Sequence, residues 1–288
     1  NTTVCSDLIG GILLNTNGVS VAASNYTINT ITPSIAFNGT TWIAGGSNAT
    51  TGSLKPSNAI FNDVFTNTTG GLLTVNYNVT PISAAGCIGA AQSIVLTISP
   101  EPVLNGSLST AVCSDAISGI TLSTIGVAAT SYTINSINIS SGLTPAAGNA
   151  TTGTLKPPAA ILNDKFTNPT NGALPVVYSV TPMTGSCQGD VVNVILSITP
   201  EPVLSSSLNN SVCSGLVGGI TLNTNGSSVA ASSYTINTIT VAPGLTSGGS
   251  NASTGALKPS NAIANDLFMN VTSNPLTVVY NITPVNGS

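Results

Sequence analysis

The segment VNYNVTPISAAGC, residues 75–87, decides the fold of this chain because it shows both a strand and a repeat. At its start Val, Tyr and Val alternate with Asn, the period of two that is typical of a β-strand with one buried face. The segment returns as VVYSVTPMTGSC at 176–187 and as VVYNITPVNGS at 278–288. Since the third copy stops just before the position of the cysteine, we expect this sequence to be part of a longer array.

Other landmarks recur with the same long period. The spacings are 101 and 102 residues for Lys55, Lys156 and Lys258, for Asp63, Asp164 and Asp266, and for Tyr77, Tyr178 and Tyr280. Self-similarity at this period indicates tandem domains. We therefore predict three modules: residues 1–100, whose opening strand is missing, residues 101–200, which are complete, and residues 201–288, whose last strand is missing.

The joints between the modules are SPEPVL at 99–104 and TPEPVL at 199–204. A proline on each side of a glutamate removes backbone donors and holds the chain extended. We expect each joint to be a short, stiff spacer.

Inside each module the pattern favours strands. Apolar residues alternate in YTINTI (26–31) and SIVLTIS (93–99), and Gly, Asn and Pro separate such runs. No stretch of a dozen residues has helical periodicity, and Pro56 is the one candidate to begin a helical turn. The fold class predicted is all-β, a tandem array of three immunoglobulin-like (PKD-like) antiparallel β-sandwich modules, with under about a tenth of the residues helical.

The charge of the chain excludes several classes of partner. Only 4% of the residues are charged, with 4 Lys+Arg, 8 Asp+Glu and a net charge of −4. Nucleic acids and anionic membrane surfaces need clustered cations, so neither is an expected partner. Apolar runs such as VVNVILSI (191–198) are far shorter than the roughly 18 residues that span a bilayer, so we expect no membrane insertion.

The titratable residues argue against catalysis. The chain has no His, which removes the usual general base and the commonest neutral metal ligand. We expect no enzyme activity, no catalytic residues and no cofactor or metal. Asp63 and its two equivalents follow a repeated Lys by eight residues, and two interpretations stay open: a turn or capping carboxylate that pairs with that Lys, or the catalyst of a Lys–Asn isopeptide bond.

Two further roles are considered at the repeated positions. Calcium at Glu101 and Glu201 is disfavoured, because the ion takes 6 to 8 oxygen ligands and the joints are poor in carboxylates. The repeated Tyr near the start of the penultimate strand either clamps a loop or is simply a core aromatic.

A family likeness rests on three segments. VCSDAISGITLST (112–124), NDKFTNPTNGALPVVYSVTP (163–182) and GSCQGDVVNVILSITPEPVL (185–204) resemble the PKD-like, immunoglobulin-like repeats of giant surface adhesins and filaments of gliding bacteria of the Bacteroidota. The likeness extends over all three modules. One departure is that the third module reads CSG where the first two read CSD, which argues against a general acidic role for Asp7 and Asp115.

The resemblance implies an exported protein, often secreted by the type IX route, at the cell surface and connected with gliding motility. The expected function is a structural stalk or filament segment of a long extracellular adhesin. The alternative is an array of carbohydrate-binding modules. The implied partners are neighbouring modules of the same chain, with surface glycans or other filament subunits as further candidates.

Cysteines near both ends of the modules suit disulfides in an exported protein, and their spacing is too sparse for zinc. We expect Cys5 to pair with Cys87 and Cys113 with Cys187, which leaves Cys213 alone. The alternative is a bond between modules, Cys5 with Cys187, because the two cysteines of one module would lie at opposite poles of an immunoglobulin-like sandwich.

The first module carries an aromatic insertion. Tyr26 and Lys55 are 29 positions apart, against 24 for the equivalent pairs, and the extra residues fall in TPSIAFNGTTWIAGG (32–46). Phe37 and Trp42 in this loop are candidate ligand contacts that could stack on a sugar. We favour a role in covering the end of the core, and because the pair does not recur, it argues against a carbohydrate-binding array.

Overall fold

A computed structural model describes residues 1–286, and every regular element within them is a β-strand. This confirms the all-β prediction. The segment after Pro56 is a pair of turns, in which the amides of Ala59 and Phe61 bond to carbonyls three residues back.

Three groups of strands follow one another along the chain. We call them the first, second and third modules, divided at residues 100 and 200 as proposed from the sequence. The first contains β1 (Thr2–Cys5), β2 (Ala23–Pro33), β3 (Trp42–Ala44), β4 (Gly52–Lys55), β5 (Phe65–Asn67), β6 (Leu73–Ser83) and β7 (Gln92–Ser99). The second contains β8 (Val103–Leu104), β9 (Thr110–Cys113), β10 (Thr124–Ile125), β11 (Ser131–Ile139), β12 (Thr144–Pro145), β13 (Gly153–Lys156), β14 (Phe166–Thr167), β15 (Leu174–Thr184), β16 (Cys187–Gln188) and β17 (Val192–Thr199). The third contains β18 (Ser233–Val241), β19 (Leu245–Ser247), β20 (Gly255–Lys258), β21 (Phe268–Asn270) and β22 (Val278–Val285).

The strand order is the same in the first two modules. The main sheets run β1-β7-β6-β2-β4 and β9-β17-β15-β11-β13, and short strand pairs, β3 with β5 and β12 with β14, lie outside these sheets. Within residues 1–286 all strand pairings are antiparallel except β1 with β7 and β9 with β17, which are parallel. These parallel pairs place Cys5 beside Ser99 and Cys113 beside Thr199, at the end of the module where the next one begins.

The period of two seen in the sequence becomes the packing of the sheet. In β6 the side chains of Val75, Tyr77 and Val79 are buried, while the Asn residues between them face outwards. Leu96 and Ile98 of β7 join them in one core. The second and third modules have separate cores of their own, built from the equivalent positions.

The third module has a smaller core and an open side. Its main sheet is β20-β18-β22, so within residues 1–286 no strand lies beside β22 where β17 lies beside β15. A groove of about 650 Å³ runs along this side, lined by apolar side chains that include Val212, Leu216, Phe268 and Val278. Tyr280 is in consequence only partly buried, whereas Tyr178 is fully buried.

Candidate functional site

The most distinctive feature of the molecule is a disulfide between modules. Cys5 is bonded to Cys187, with an S–S distance of 2.04 Å and a Cα–Cα distance of 5.3 Å. The expected pairing within modules is wrong, and the alternative pairing across modules is what the structure contains. Cys87, Cys113 and Cys213 are free and exposed.

The strand directions explain why the cysteines of one module do not meet. Cys5 lies beside Ser99, at the last residue of β7. Cys87 lies in the connection that leads to the first residue of β7, Gln92. The eight residues of this strand separate its ends by roughly 25 Å, well beyond the reach of a disulfide.

The hairpin that carries Cys187 reaches back onto the preceding joint. Cys187 and Gln188 form β16, paired with the end of β15, and the Gly189 amide donates to the Pro182 carbonyl at 2.9 Å. Gly189 lies directly against the joint, because a Cβ on it would come within 1.8 Å of the Pro102 carbonyl oxygen. Glycine is therefore required at this contact.

Three carboxyl groups surround the same joint. Glu101 is only 4% exposed, and a single groove brings it together with Asp7, Asp190 and Cys5. Burial, then the nearby Asp7 and Asp190 carboxylates, raise the pKa of Glu101 to about 7. Its backbone amide donates to the Asn67 carbonyl at 2.9 Å, which fixes the joint to the first module.

The second joint has the same arrangement, but its glutamate is less buried. The Glu201 amide donates to the Asn168 carbonyl at 3.1 Å. Burial and the Asp115 carboxylate raise the pKa of Glu201. Glu201 is half-buried, however, and neighbouring Cys113 is exposed. The described part of the chain has no group of three or more His, Cys, Asp or Glu residues arranged to hold a metal ion.

The repeated Asp and Tyr form one structural unit in every module. The Tyr178 hydroxyl donates to Asp164 Oδ2 at 2.7 Å, and the other oxygen of Asp164 accepts the Ala150 amide at 2.8 Å. The same two bonds join Tyr77, Asp63 and Ala49, and Tyr280, Asp266 and Ala252. Both readings of the Tyr apply: it is a core aromatic and it also clamps a loop through Asp.

The titration of this unit follows from its position. Burial raises the pKa of Asp164, while the bonds from Tyr178 and from the Ala150 amide oppose that effect. Burial, with the Asp carboxylate second, raises the pKa of Tyr178 well above its ordinary value.

The repeated Lys has a different partner from the one expected. Lys156 Nζ donates to the Thr151 hydroxyl at 3.2 Å, and Lys55 and Lys258 bond equivalent hydroxyls in their own modules. The Asp of each module is thus a capping carboxylate whose bonds go to Tyr and to a backbone amide.

The change from CSD to CSG has a backbone explanation. Asp7 and Asp115 both have φ of 62°, and Gly215, at the same position of the third module, has φ of 79°. Left-handed backbone is open to Gly and is tolerated by Asp better than by most residues. What the three modules share at this position is therefore a left-handed backbone conformation, and not a particular side chain. The Asp7 carboxylate accepts the Thr66 hydroxyl at 2.5 Å, and Asp115 does so from Thr167 at 2.6 Å.

The aromatic insertion is part of the first core. Trp42 is fully buried, its Nε1 donates to the Ile35 carbonyl at 3.1 Å, and its ring stacks with those of Phe37 and Phe65. Phe37 is 38% exposed. A fully buried indole presents no face to a sugar, so the geometry supports the covering role that we favoured.

Residues 1–286 contain no helix that is long and apolar enough to cross a membrane.

Comparison with known proteins identifies the domain family of this chain. The model of the PKD-like domain matches residues 28–102 and 110–202, which together are more than half of the chain. No curated protein matches the chain.

Solved structures give weaker likenesses. The crystal structure of human CDH23 EC21-23 is 12% identical, with 96% of this chain and 91% of that chain covered and a TM-score of 0.28. Drosophila N-cadherin EC1-4 is 11% identical, with 99% and 75% covered and a TM-score of 0.23. The Bacteroides ovatus protein SGBP-B, solved with a mixed-linkage heptasaccharide, is 12% identical, with 97% and 59% covered and a TM-score of 0.14. Scores this low carry no argument, and it is the match of the family model that places this chain in the PKD-like domain family.

Proposed function

We propose that the chain is a structural stalk or filament segment of a long extracellular repeat protein, a cell-surface adhesin whose modules transmit tension and perform no chemistry. The observation that supports this most is the disulfide between Cys5 and Cys187. A covalent bond between modules fixes their relative position and holds under load.

The buried joint supports the same function. The Glu101 amide bonds to the first module, and the backbone on either side of it is held by Pro100 and Pro102. The second module also contacts the first away from the joint, since a Cβ on Gly126 would lie 2.6 Å from the Thr68 carbonyl oxygen. Contacts on more than one side oppose bending.

Location and partners follow from the chemistry of the disulfide and from the resemblance. Disulfides persist in oxidising, extracellular surroundings, and the family likeness suggests the surface of a gliding bacterium. The partners we propose are neighbouring modules and other subunits of the same filament. A glycan-binding role finds no support in Trp42, which is fully buried.

Scattering from the purified, oxidised chain tests the stalk. Three sandwiches end to end, each about 35 Å long, give a radius of gyration of about 30 Å. A compact globule of 288 residues has one of about 19 Å. We expect the larger value, and antibodies raised against the chain should label intact cells of the source organism. A radius near 19 Å would contradict the rod, and labelling only after cell lysis would contradict the surface location.

A further inference from the structure

Two free cysteines occupy the same positions as the two bonded ones. Cys113 lies in register with Thr199 at the end of a parallel strand pair, as Cys5 lies in register with Ser99. We call Cys5 and Cys113 opening cysteines. Cys87 and Cys187 are closing cysteines, which follow the long strands β6 and β15.

The surroundings of the two opening cysteines match. The Asn67 amide donates to the Ser6 hydroxyl at 2.8 Å, and the Asn168 amide donates to the Ser114 hydroxyl at 2.8 Å. The first and second modules also place an Asp with left-handed φ, Asp7 and Asp115, two residues after the opening cysteine. The surface on which the hairpin of Cys187 rests is therefore built a second time around Cys113.

The two surfaces differ in what covers them. At the first joint the hairpin of Cys187 and Gly189 lies over Glu101, which is buried. At the second joint Glu201 is half-buried and Cys113 is exposed. The glutamate at the equivalent position of the two joints is thus buried at the first joint and partly exposed at the second.

The closing hairpin is also built twice. The Gly89 amide donates to the Pro81 carbonyl at 3.0 Å, as the Gly189 amide does to Pro182 at 2.9 Å. In each hairpin the glycine follows the cysteine by two residues. The first module therefore presents the same hairpin as the second, with its cysteine exposed.

We propose that the opening cysteine of each module forms a disulfide with the closing cysteine of the module that follows it. Cys113 is then half of a staple to the closing hairpin of a following PKD-like module, and Cys87 is half of a staple to the opening cysteine of a preceding one. Each bond forms when two thiols lose two protons and two electrons to a disulfide oxidant such as oxidised glutathione, which is released as two glutathione thiols. The inference rests on the proposed stalk function for the presence of neighbouring modules.

The test lengthens the chain by one closing hairpin and strand. Residues 187–200, CQGDVVNVILSITP, are appended after Ser288, because TPVNGS (283–288) aligns with TPMTGS (181–186) and brings the new cysteine to the right position. The protein is oxidised with glutathione, its free thiols are counted, and its unreduced peptides are mapped by mass spectrometry. The matched control carries serine in place of the appended cysteine.

We expect the free thiols to fall from three in the control to two in the lengthened chain, with Cys113 bonded to the appended cysteine and Cys5 still bonded to Cys187. A bond from the appended cysteine to Cys213, or a free Cys113, would overturn the inference. A rod-like scattering profile without the second staple would overturn the inference alone and leave the stalk standing.

A second engineered protein tests the same inference in case the lengthened third module does not fold. Residues 1–202 are followed by a further copy of residues 103–202, so that a complete module takes the third place. Cys113 should bond to the closing cysteine of the appended copy. If Cys5 and Cys187 pair in this protein while Cys113 stays free, the rule fails.

Discussion

At the scale of single residues, the repetition between modules is explained more by the backbone conformation that a position requires than by the charge of its side chain. Asp7, Asp115 and Gly215 share a left-handed φ although their side chains differ. Leu54, Leu155 and Leu257 also have φ between 55° and 56° in all three modules. These leucines are largely exposed, and nothing in the described residues explains why a leucine is kept there.

The backbone argument makes a prediction at Asp115. Asp115→Gly should change the free energy of unfolding of the second module by about 1 kcal/mol or less, because Gly215 already serves at this position. Asp115→Val should cost about 2 kcal/mol or more, since a β-branched residue is a poor fit to left-handed backbone. Urea unfolding of both variants checks this. Equal losses in the two would show that the hydrogen bond to Thr167 matters more than the conformation.

Glu101 makes a prediction about pH. Its pKa is raised to about 7 from an ordinary 4.5. Between these two pH values, the Glu101 carboxyl group is therefore protonated in the folded chain and ionised in the unfolded chain. The stabilisation from this proton is fully present below about pH 4.5 and is lost as the pH rises through about 7. Glu101→Gln should remove this pH dependence and stabilise the joint at pH 8 by on the order of 1–3 kcal/mol.

Thermal unfolding between pH 5 and pH 8 measures this effect, with the midpoint of the unaltered chain falling as the pH rises. Glu101 faces Asp7 and Asp190, whereas Glu201 faces Asp115, so Glu201→Gln is the matched control with a smaller expected change. An unaltered chain whose stability rises over this range would contradict the assignment.

Some of these residue roles could be predicted from the sequence and others could not, depending on the information that each role requires. The capping role of Asp63 could be expected from its repetition, and the hydrogen bond to Tyr77 was within reach because Tyr repeats with the same spacing. Burial of Trp42 was harder to foresee, since a loop insertion is normally solvent-exposed. Asn38 Oδ1 accepts the Trp42 backbone amide at 2.9 Å and so caps the turn that precedes the indole.

At the scale of elements, an unpaired strand edge distinguishes the third module. Among the residues that the structure describes, β22 is bonded to β18 alone, whereas β15 is bonded to both β11 and β17. An unpaired edge beside an apolar groove is a template for a further strand. In the second module that place is filled by Val194, Leu196 and Ile198 of β17, all of which are buried.

The groove should accept a strand in trans. A peptide of residues 190–200, DVVNVILSITP, should bind the chain with a micromolar dissociation constant and protect the amides of β22 from hydrogen exchange. The control peptide carries Leu196→Asp and Ile198→Asp, which would bury charges in the groove and should abolish binding. Equal binding of both peptides, measured by calorimetry, would show that the groove does not recognise this strand.

The strands themselves were the easiest part to predict. Alternation in YTINTI (26–31) and VNYNV (75–79) reports one buried face directly, and β2 and β6 contain these segments. The position of the cysteines relative to the poles was not visible in this pattern. It depends on the parallel pairing of β1 with β7, a contact between residues far apart in the sequence.

At the scale of the whole molecule, the accessible surface is larger than that of a compact monomer. It amounts to 15014 Å², whereas a compact monomer of 28.5 kDa exposes about 11,300 Å². Three separate cores and an open groove in the third module both contribute to the excess.

The staple should redirect force applied to the two ends of the chain. In the oxidised protein, tension passes from residue 5 across the sulfur pair to residue 187, so the segment between them, whose ends are 182 positions apart, is shielded. Pulling by force spectroscopy should then release only the remainder of the chain, and reduction should add about 600 Å of contour length. Cys5→Ser, pulled under oxidising conditions, should behave like the reduced protein. If the oxidised and reduced chains released the same length, the disulfide would not lie in the path of the force, and a stalk of stapled modules would lose its mechanical basis.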